Sequence, residues 1–200
     1  MNFEEDEEAL VIELYAQQWN WKARYAGKDN VLGDANVRFL NDYDGRNTVG
    51  IDSSDPNGLD DIVVTQEFHL PVDRKVIFKF RSQDVLHSAY MPHFRAQMNC
   101  VPGMITEFAF TPIKTTEQMR MEPDVISKVR KINEIRDAKN KDLIAQGEEI
   151  LEPYVFDFLL LCNKICGASH YNMQIKIIVE TENEFNKWIK SQQTFSQFIQ

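Results

Sequence analysis

The dominant pattern along the chain is an alternation of apolar and polar positions, which is typical of half-buried β-strands. The longest such run covers residues 10–25, where Leu10, Ile12 and Leu14 share one face. Shorter runs rich in β-branched and aromatic residues predict further strands over 62–68, 75–80, 104–110, 154–161 and 174–180. With turn signals between them, these runs predict an all-β fold, a Greek-key β-sandwich.

Two stretches have helical character instead. Residues 115–150 contain Val125, Val129 and Ile132 at helical spacing among many charged residues. We therefore expect an amphipathic helical segment inserted into the sandwich. The Thr-x-x-Glu pattern that begins at Thr181 is typical of a capping box, and it predicts a C-terminal helix and tail over 181–200.

An acidic tail over residues 1–9 and a Gly-, Asn- and Asp-rich loop over 26–61 complete the predicted layout, in which 10–180 form one domain. The loop carries eight aspartates, at positions 29, 34, 42, 44, 52, 55, 60 and 61. It is interpreted either as a solvated surface loop or as part of an acidic docking face.

Composition narrows the class of protein. The chain has 200 residues and a net charge of −9, which disfavours nucleic acid because its phosphates would be repelled. The apolar run that ends at residue 161 is far shorter than the ~20 residues that span a bilayer. The acidic N-terminus also lacks the basic-then-apolar order of a signal peptide. We therefore expect a soluble domain that long-range charge could steer toward a basic partner.

The strongest chemical signal is a cluster of soft donors within residues 162–173. Cys162, Cys166, His170 and Met173 follow a strongly apolar run. Thiolate, imidazole and thioether ligands together suit copper better than they suit hard cations.

A complete copper site also needs a second histidine from outside this loop. His87, which follows the predicted strand 75–80, can supply a second imidazole. The extra thiol of Cys162 would allow two sulfurs to bridge two metals. Other interpretations of the two cysteines are a disulfide, a zinc site shared with His170, or simple burial. Copper is favoured over these because methionine is a poor zinc ligand and a good copper ligand.

The remaining candidate residues receive structural interpretations. Cys100 is expected to pack as a small apolar group, and His69 to be a satisfied structural or surface histidine. His93 lies beside a proline turn and is given no role.

These motifs resemble the copper A domain of cytochrome c oxidase subunit II. The resemblance rests on the segments 18–21 (Gln-Trp-Asn-Trp), 69–72, 84–88, 101–103 and 162–173. It leaves out the aspartate-rich loop and the inserted helical segment. It implies the cupredoxin form of the β-sandwich.

The resemblance also implies a binuclear copper A centre with two copper ions. Its protein ligands would be the side chains of His87, Cys162, Cys166, His170 and Met173 and the backbone carbonyl of Lys164. Both sulfurs would bridge the ions, and His87 and Met173 would complete the site of one of them. His170 and the Lys164 carbonyl would complete the other.

The implied function is electron transfer within a respiratory oxidase. The domain would accept electrons from cytochrome c or a similar cytochrome through Trp19 and pass them to the haem- and copper-containing catalytic subunit I. That assembly, an oxidoreductase and proton translocase, reduces dioxygen to water. The domain would face the periplasmic or outer side of a respiratory membrane, anchored through segments absent from this chain. It would be an electron relay with no catalytic site of its own.

Two other functions remain open. A nitrous oxide reductase domain carries the same centre, but the 18–21 motif and the absence of a large catalytic domain in the sequence disfavour it. A non-redox zinc-binding module is the more distant alternative. The quinol-oxidase version of subunit II lacks the copper ligands, whereas all the ligand side chains are present here.

Lys164 departs from the family pattern. The familiar loop has a glutamate between the cysteines, whose carbonyl binds copper while its carboxylate reaches a magnesium ion at the boundary with the catalytic subunit. Lysine keeps the carbonyl, but its ammonium would repel magnesium. We therefore expect an intact copper centre and no magnesium ligated by this chain.

Overall fold

The computed structural model describes residues 8–41 and 45–199. Within them the first group of strands is β1 (Leu10–Gln17), β2 (Asn20–Tyr25), β3 (Ile62–Val64), β5 (Val76–Ser82) and β8 (Thr106–Phe110). The second group is β4 (Glu67–Pro71), β6 (His87–Met91), β7 (Ala96–Cys100), β9 (Phe158–Cys162) and β10 (Gln174–Glu180).

Each group forms one sheet. The sheet orders are β3-β2-β1-β5-β8 and β4-β10-β9-β6-β7, with parallel pairing between β1 and β5 and between β4 and β10. The apolar faces of both sheets bury one core, in which Phe68, Phe78, Phe80 and Leu160 have no exposed surface. Burying each such side chain contributes roughly 1.5–3 kcal/mol, so this core stabilises the fold substantially. The two sheets confirm the predicted all-β sandwich.

The region predicted as one strand over 10–25 is instead a hairpin. β1 and β2 pair antiparallel, with Gln17 opposite Asn20, so Gln18 and Trp19 form the turn. The pattern of burial contains the signal for this turn. In the main core, the buried positions of β1 are even-numbered and those of β2 are odd-numbered, because the two turn residues shift the alternation by one position.

Other strand boundaries also differ from the prediction. Residues 62–68 contribute to two strands, β3 and β4, which lie in different sheets. β6 and β7 were not predicted. His87, which the prediction attached to the end of the strand 75–80, is instead the first residue of β6. β8 begins at Thr106 and β9 at Phe158, both later than predicted, while β10 has the predicted bounds.

The loop over 26–61 covers the outer face of the first sheet. Tyr15, Val49, Ile51 and Phe195 form a second buried cluster there. Beneath the loop, the fully buried Arg24 makes ion pairs with Glu13 and Asp61. The interpretation of this segment as a solvated loop is therefore wrong for Asp61. Asp42 and Asp44 lie outside the described residues, and so do residues 1–7 of the predicted acidic tail.

The inserted segment forms two helices, α1 (Thr116–Arg120) and α2 (Pro123–Gln146), and Val125 is the residue of α2 that is buried. Two asparagines one heptad apart hold the returning chain against α2. Asn133 exchanges two hydrogen bonds with the backbone of Tyr154, and Asn140 does the same with Leu151.

The chain ends in α3 (Glu182–Ser191), which begins at the predicted capping box, and α4 (Phe195–Phe198). The predicted C-terminal helix is thus confirmed. Among the described residues, no helix is both long enough and apolar enough to cross a membrane.

Candidate metal centre

The site lies where two neighbouring strands of the second sheet meet one loop. His87 opens β6, Cys162 closes β9, and the two strands pair through Ala89 and Cys162. The loop that leaves Cys162 returns at Met173, whose carbonyl accepts a hydrogen bond from the Cys162 N–H at 3.0 Å. The strand register and the closure of the loop therefore fix the approach of the donors.

The donor atoms form a continuous cluster around the two sulfurs. The Sγ atoms of Cys162 and Cys166 are 3.8 Å apart and not bonded to each other. His87 Nδ1 lies 3.7 Å from Cys162 Sγ. His170 Nδ1 and Met173 Sδ lie 3.6 and 3.9 Å from Cys166 Sγ.

Lys164 joins the cluster through its backbone. Its carbonyl oxygen lies 3.3 Å from Cys162 Sγ, while its side chain is exposed. The structure thus brings together every residue that the sequence analysis placed in the site.

The chemistry of the donor set fits a soft metal. His87 Nδ1 and the two cysteine sulfurs lie within 4.8 Å of one another. Metal–sulfur bonds are about 2.3 Å long, so one ion can contact two sulfurs that are 3.8 Å apart. Met173 is 1% exposed and lies in the same cluster, and a thioether in this position favours copper over zinc.

A hydrogen bond sets the orientation of the His87 ring. Its Nε2 lies 2.7 Å from Asp84 Oδ1, which places the ring proton on Nε2 and leaves Nδ1 free to bind a metal. Burial opposes ionisation of Asp84, but hydrogen bonds from the Gln18 N–H, His87 and the Val85 N–H outweigh it and lower the pKa of this carboxyl below its usual value. Asp84 is therefore a stable anionic acceptor.

The second cysteine is enclosed by protein. Burial, together with the neighbouring Cys162, raises the pKa of the Cys166 thiol to about 11. Without a metal this thiol therefore keeps its proton at neutral pH, and binding of a metal would release it. The Trp21 indole N–H donates to the Met173 carbonyl at 3.4 Å. A residue of β2, in the first sheet, therefore holds the C-terminal end of the loop.

The turn between β1 and β2 covers the loop from the other sheet. Trp19 is 39% exposed, and its indole lies against Gly167, the residue that follows Cys166. No sequence signal assigned a role to Gln18, Asp84, Trp21 or Gly167, although all four lie in the segments 18–21, 84–88 and 162–173 that carried the resemblance.

The other candidate residues lie outside this cluster. Cys100 is fully buried in the core, and burial raises the pKa of its thiol to about 12. His69 stacks on Trp188 at 3.9 Å between ring centroids and bonds to Glu180 at 2.7 Å. His93 packs edge-on against Phe156. The contacts of all three residues are therefore packing or hydrogen-bond contacts away from the donor cluster.

The fold and the site together define a class: a two-sheet β-sandwich with a cluster of cysteine, histidine and methionine donors at one end. The sequence profile of the family "Cytochrome C oxidase subunit II, periplasmic domain" matches residues 10–118. The chain belongs to this family.

Individual relatives agree with this membership. The chain is 35% identical over 190 residues to "Alternative cytochrome c oxidase subunit 2" of Bradyrhizobium diazoefficiens, covering 94% of this chain and 53% of the relative. It is 28% identical over 125 residues to cytochrome c oxidase subunit 2 of Alkalihalophilus pseudofirmus, covering 62% of this chain and 25% of the relative. The chain therefore spans about half the length of the first relative and a quarter of the second.

A solved structure confirms the cupredoxin-like sandwich. The crystal structure of the periplasmic domain of subunit II of cytochrome oxidase (CoxB) of Bradyrhizobium japonicum superimposes with a TM-score of 0.52 at 19% identity, covering 93% of this chain and 94% of that one. A second structure, the mixed disulfide intermediate between thioredoxin-like TlpAs and CoxB, has a TM-score of 0.51 at 16% identity, with coverages of 93% and 92%.

Proposed function

We propose that this chain is an electron-transfer domain whose cluster holds a binuclear copper A centre. The ligands would be the side chains of His87, Cys162, Cys166, His170 and Met173 and the carbonyl of Lys164. Two copper ions that share sulfur ligands would supply one-electron chemistry with the charge change spread over both metals.

The observation that supports two ions is that each cysteine sulfur has two of the four remaining donors beside it. His87 and Met173 are the proposed partners on one ion, and they lie at different sulfurs, Cys162 and Cys166. The proposed partners on the other ion also divide, with the Lys164 carbonyl at Cys162 and His170 at Cys166. Each sulfur thus neighbours one donor of each ion, as a bridging ligand must.

The protein's contribution is to keep these donors in place. His87 is fixed by Asp84 and the β6 backbone, and Met173 by its bonds to Cys162 and Trp21. An electron-transfer site should change geometry little between redox states, and donors held by paired strands meet that need.

The partners follow from the family. The domain would accept electrons from cytochrome c or a similar cytochrome, with Trp19 as the residue through which they enter, and deliver them to the haem-containing catalytic subunit I. The exposed position of Trp19 against the loop residue Gly167 supports that route. In that assembly the domain would serve an oxidoreductase and proton translocase and face the periplasmic side of a respiratory membrane.

Copper reconstitution tests the proposal. Reduced chain is loaded with copper, because Cys162 and Cys166 could otherwise oxidise to each other. We expect two coppers per chain, a purple oxidised form and a paramagnetic spectrum with more lines than the four of a single copper. One copper per chain with a four-line spectrum would contradict the binuclear centre, and preferential retention of zinc would favour the zinc-binding alternative.

A further inference from the structure

The turn between β1 and β2 touches both halves of the proposed centre. The Gln18 backbone N–H donates to Asp84 Oδ2 at 2.6 Å, and the other oxygen of that carboxylate lies 2.7 Å from His87 Nε2. The Gln18 side-chain amide donates to the Cys166 carbonyl, also at 2.6 Å. One residue of the first sheet therefore contacts the histidine side through its backbone and the cysteine loop through its side chain.

The loop backbone next to Cys166 is shaped to receive this turn. Gly167 has a φ of +131°, which L side chains rarely adopt. A Cβ on Gly167 would lie 3.0 Å from Gln18 Nε2 and 3.1 Å from Trp19 Cζ2. Glycine therefore permits the close approach that brings the Gln18 amide within bonding distance of the preceding carbonyl.

The bond from Gln18 acts on a part of the loop with little regular structure. The loop is tied to β6 at Asn163, whose N–H donates to the Ser88 carbonyl at 2.9 Å, and Met173 accepts from Trp21. Cys166 lies between these two points, and its carbonyl is held by Gln18. Holding that carbonyl restricts rotation of the Cys166 backbone and so fixes where its sulfur points.

We propose that Gln18 is a positioning residue for the metal loop: its amide holds the Cys166 backbone so that the sulfur already faces Cys162 before metal binds. This inference rests on the proposed copper function. Removing a neighbour that fixes the orientation of a metal ligand typically costs about 10–100-fold in metal affinity. The expected consequences are a better-ordered loop without metal and slower loss of copper with it.

The test compares Gln18→Glu with the matched control Gln17→Glu. The first change keeps the shape of the side chain but replaces the donor amide by a carboxylate that repels the Cys166 carbonyl. The second adds the same charge one residue earlier, at a side chain with no hydrogen bond among the described residues. Gln18→Ala, which removes the amide without adding charge, gives the same comparison if Gln18→Glu does not fold.

Two readouts separate this inference from the copper proposal. In reduced, copper-free chain, amide hydrogen exchange over residues 163–172 should be about fivefold faster in Gln18→Glu than in the parent or the control. In copper-loaded chain, loss of copper to a chelator should be faster on the order of tenfold, with altered hyperfine splitting.

Unchanged exchange in both Gln18 variants would overturn the inference. Faster exchange with unchanged copper retention and spectrum would also overturn it, because Gln18 would then be a structural contact alone. If the parent chain fails to bind two coppers, the copper proposal fails, and the exchange comparison still decides whether Gln18 orders the loop.

Discussion

At the scale of single residues, Lys164 shows how backbone and side chain can carry separate roles. Its carbonyl points to Cys162 Sγ at 3.3 Å, while its side chain is exposed. The carbonyl is available whatever side chain is attached. The resemblance implies a glutamate at this position, so the ammonium would stand in place of a carboxylate.

We therefore predict that Lys164→Ala leaves the copper spectrum of the domain nearly unchanged. The ammonium itself would disfavour a divalent cation, since two unit charges ~4 Å apart interact by about 4 kcal/mol at an effective dielectric constant of ~20. Copper content and visible spectra of parent and variant check the first point. Loss of copper in the variant, or magnesium or manganese bound through this loop in the parent, would show that Lys164 has been misinterpreted.

Trp19 allows a test of the electron route that leaves the ligands intact. Its indole packs on Gly167 and makes none of the donor contacts in the cluster. Trp19→Phe should therefore slow reduction by cytochrome c while the copper content and spectrum stay as in the parent. Stopped-flow reduction measures the rate, and a variant that is reduced as fast as the parent would exclude Trp19 from the route.

At the scale of elements, the inserted helix α2 is joined to the sandwich near β9. His93 packs edge-on against Phe156 and Phe158, with ring centroids 4.9 and 5.7 Å away. Burial, and then the nearby Lys128 of α2, lower the pKa of His93 below its usual value. This exposed imidazole beside the two rings therefore takes up a proton less readily than a free histidine does.

This predicts an acid-dependent loss of stability. The unfolded chain takes up a proton on His93 near pH 6.5, whereas the folded chain resists protonation until a lower pH. The free energy of unfolding should therefore fall as pH drops below about 6.5, and the fall due to His93 is complete below the lowered folded pKa. Denaturant unfolding of copper-free chain at pH 7 and pH 5 should show a smaller loss in His93→Gln than in the parent, and equal losses would contradict this assignment.

At the scale of the whole molecule, net charge would govern the encounter with the proposed electron donor. The chain carries −9 overall, and Asp29 and Asp34 of the 26–61 loop are exposed while Asp61 is consumed in an internal ion pair. An acidic surface raises the rate at which a basic partner is captured.

Reduction by a basic cytochrome c should therefore slow as salt rises. The screening length is ~10 Å at 0.1 M ionic strength, so the second-order rate constant should fall across that range. A series of stopped-flow measurements from low to high salt checks it, with an acidic cytochrome as the control that should not slow. A rate indifferent to salt would rule out electrostatic docking.

The sequence by itself determined much of this protein because much of its information is local. Strand periodicity follows from the pleat of each strand alone, which is why β10 could be predicted to the residue. The donors of residues 162–173 lie on one loop, so their identity and spacing were sufficient to predict a soft-metal site. The helical segments were predictable for the same reason, from the spacing of apolar residues and from capping.

Tertiary structure decided what depends on pairing between distant residues. The hairpin turn at Gln18 was missed because apolar and polar positions alternate on both sides of it. The alternation changes phase there, but only the pairing of β1 with β2 shows that this change marks a turn. The burial of Asp61 depends on its ion pair with Arg24 of β2. The orientation of His87 depends on the β6–β9 register and on Asp84, which accepts a hydrogen bond from the Gln18 N–H of the other sheet. Local sequence sets the donors and the strands, but long-range hydrogen bonds and burial decide which residues hold those donors in place, because those interactions exist only once the two sheets have packed.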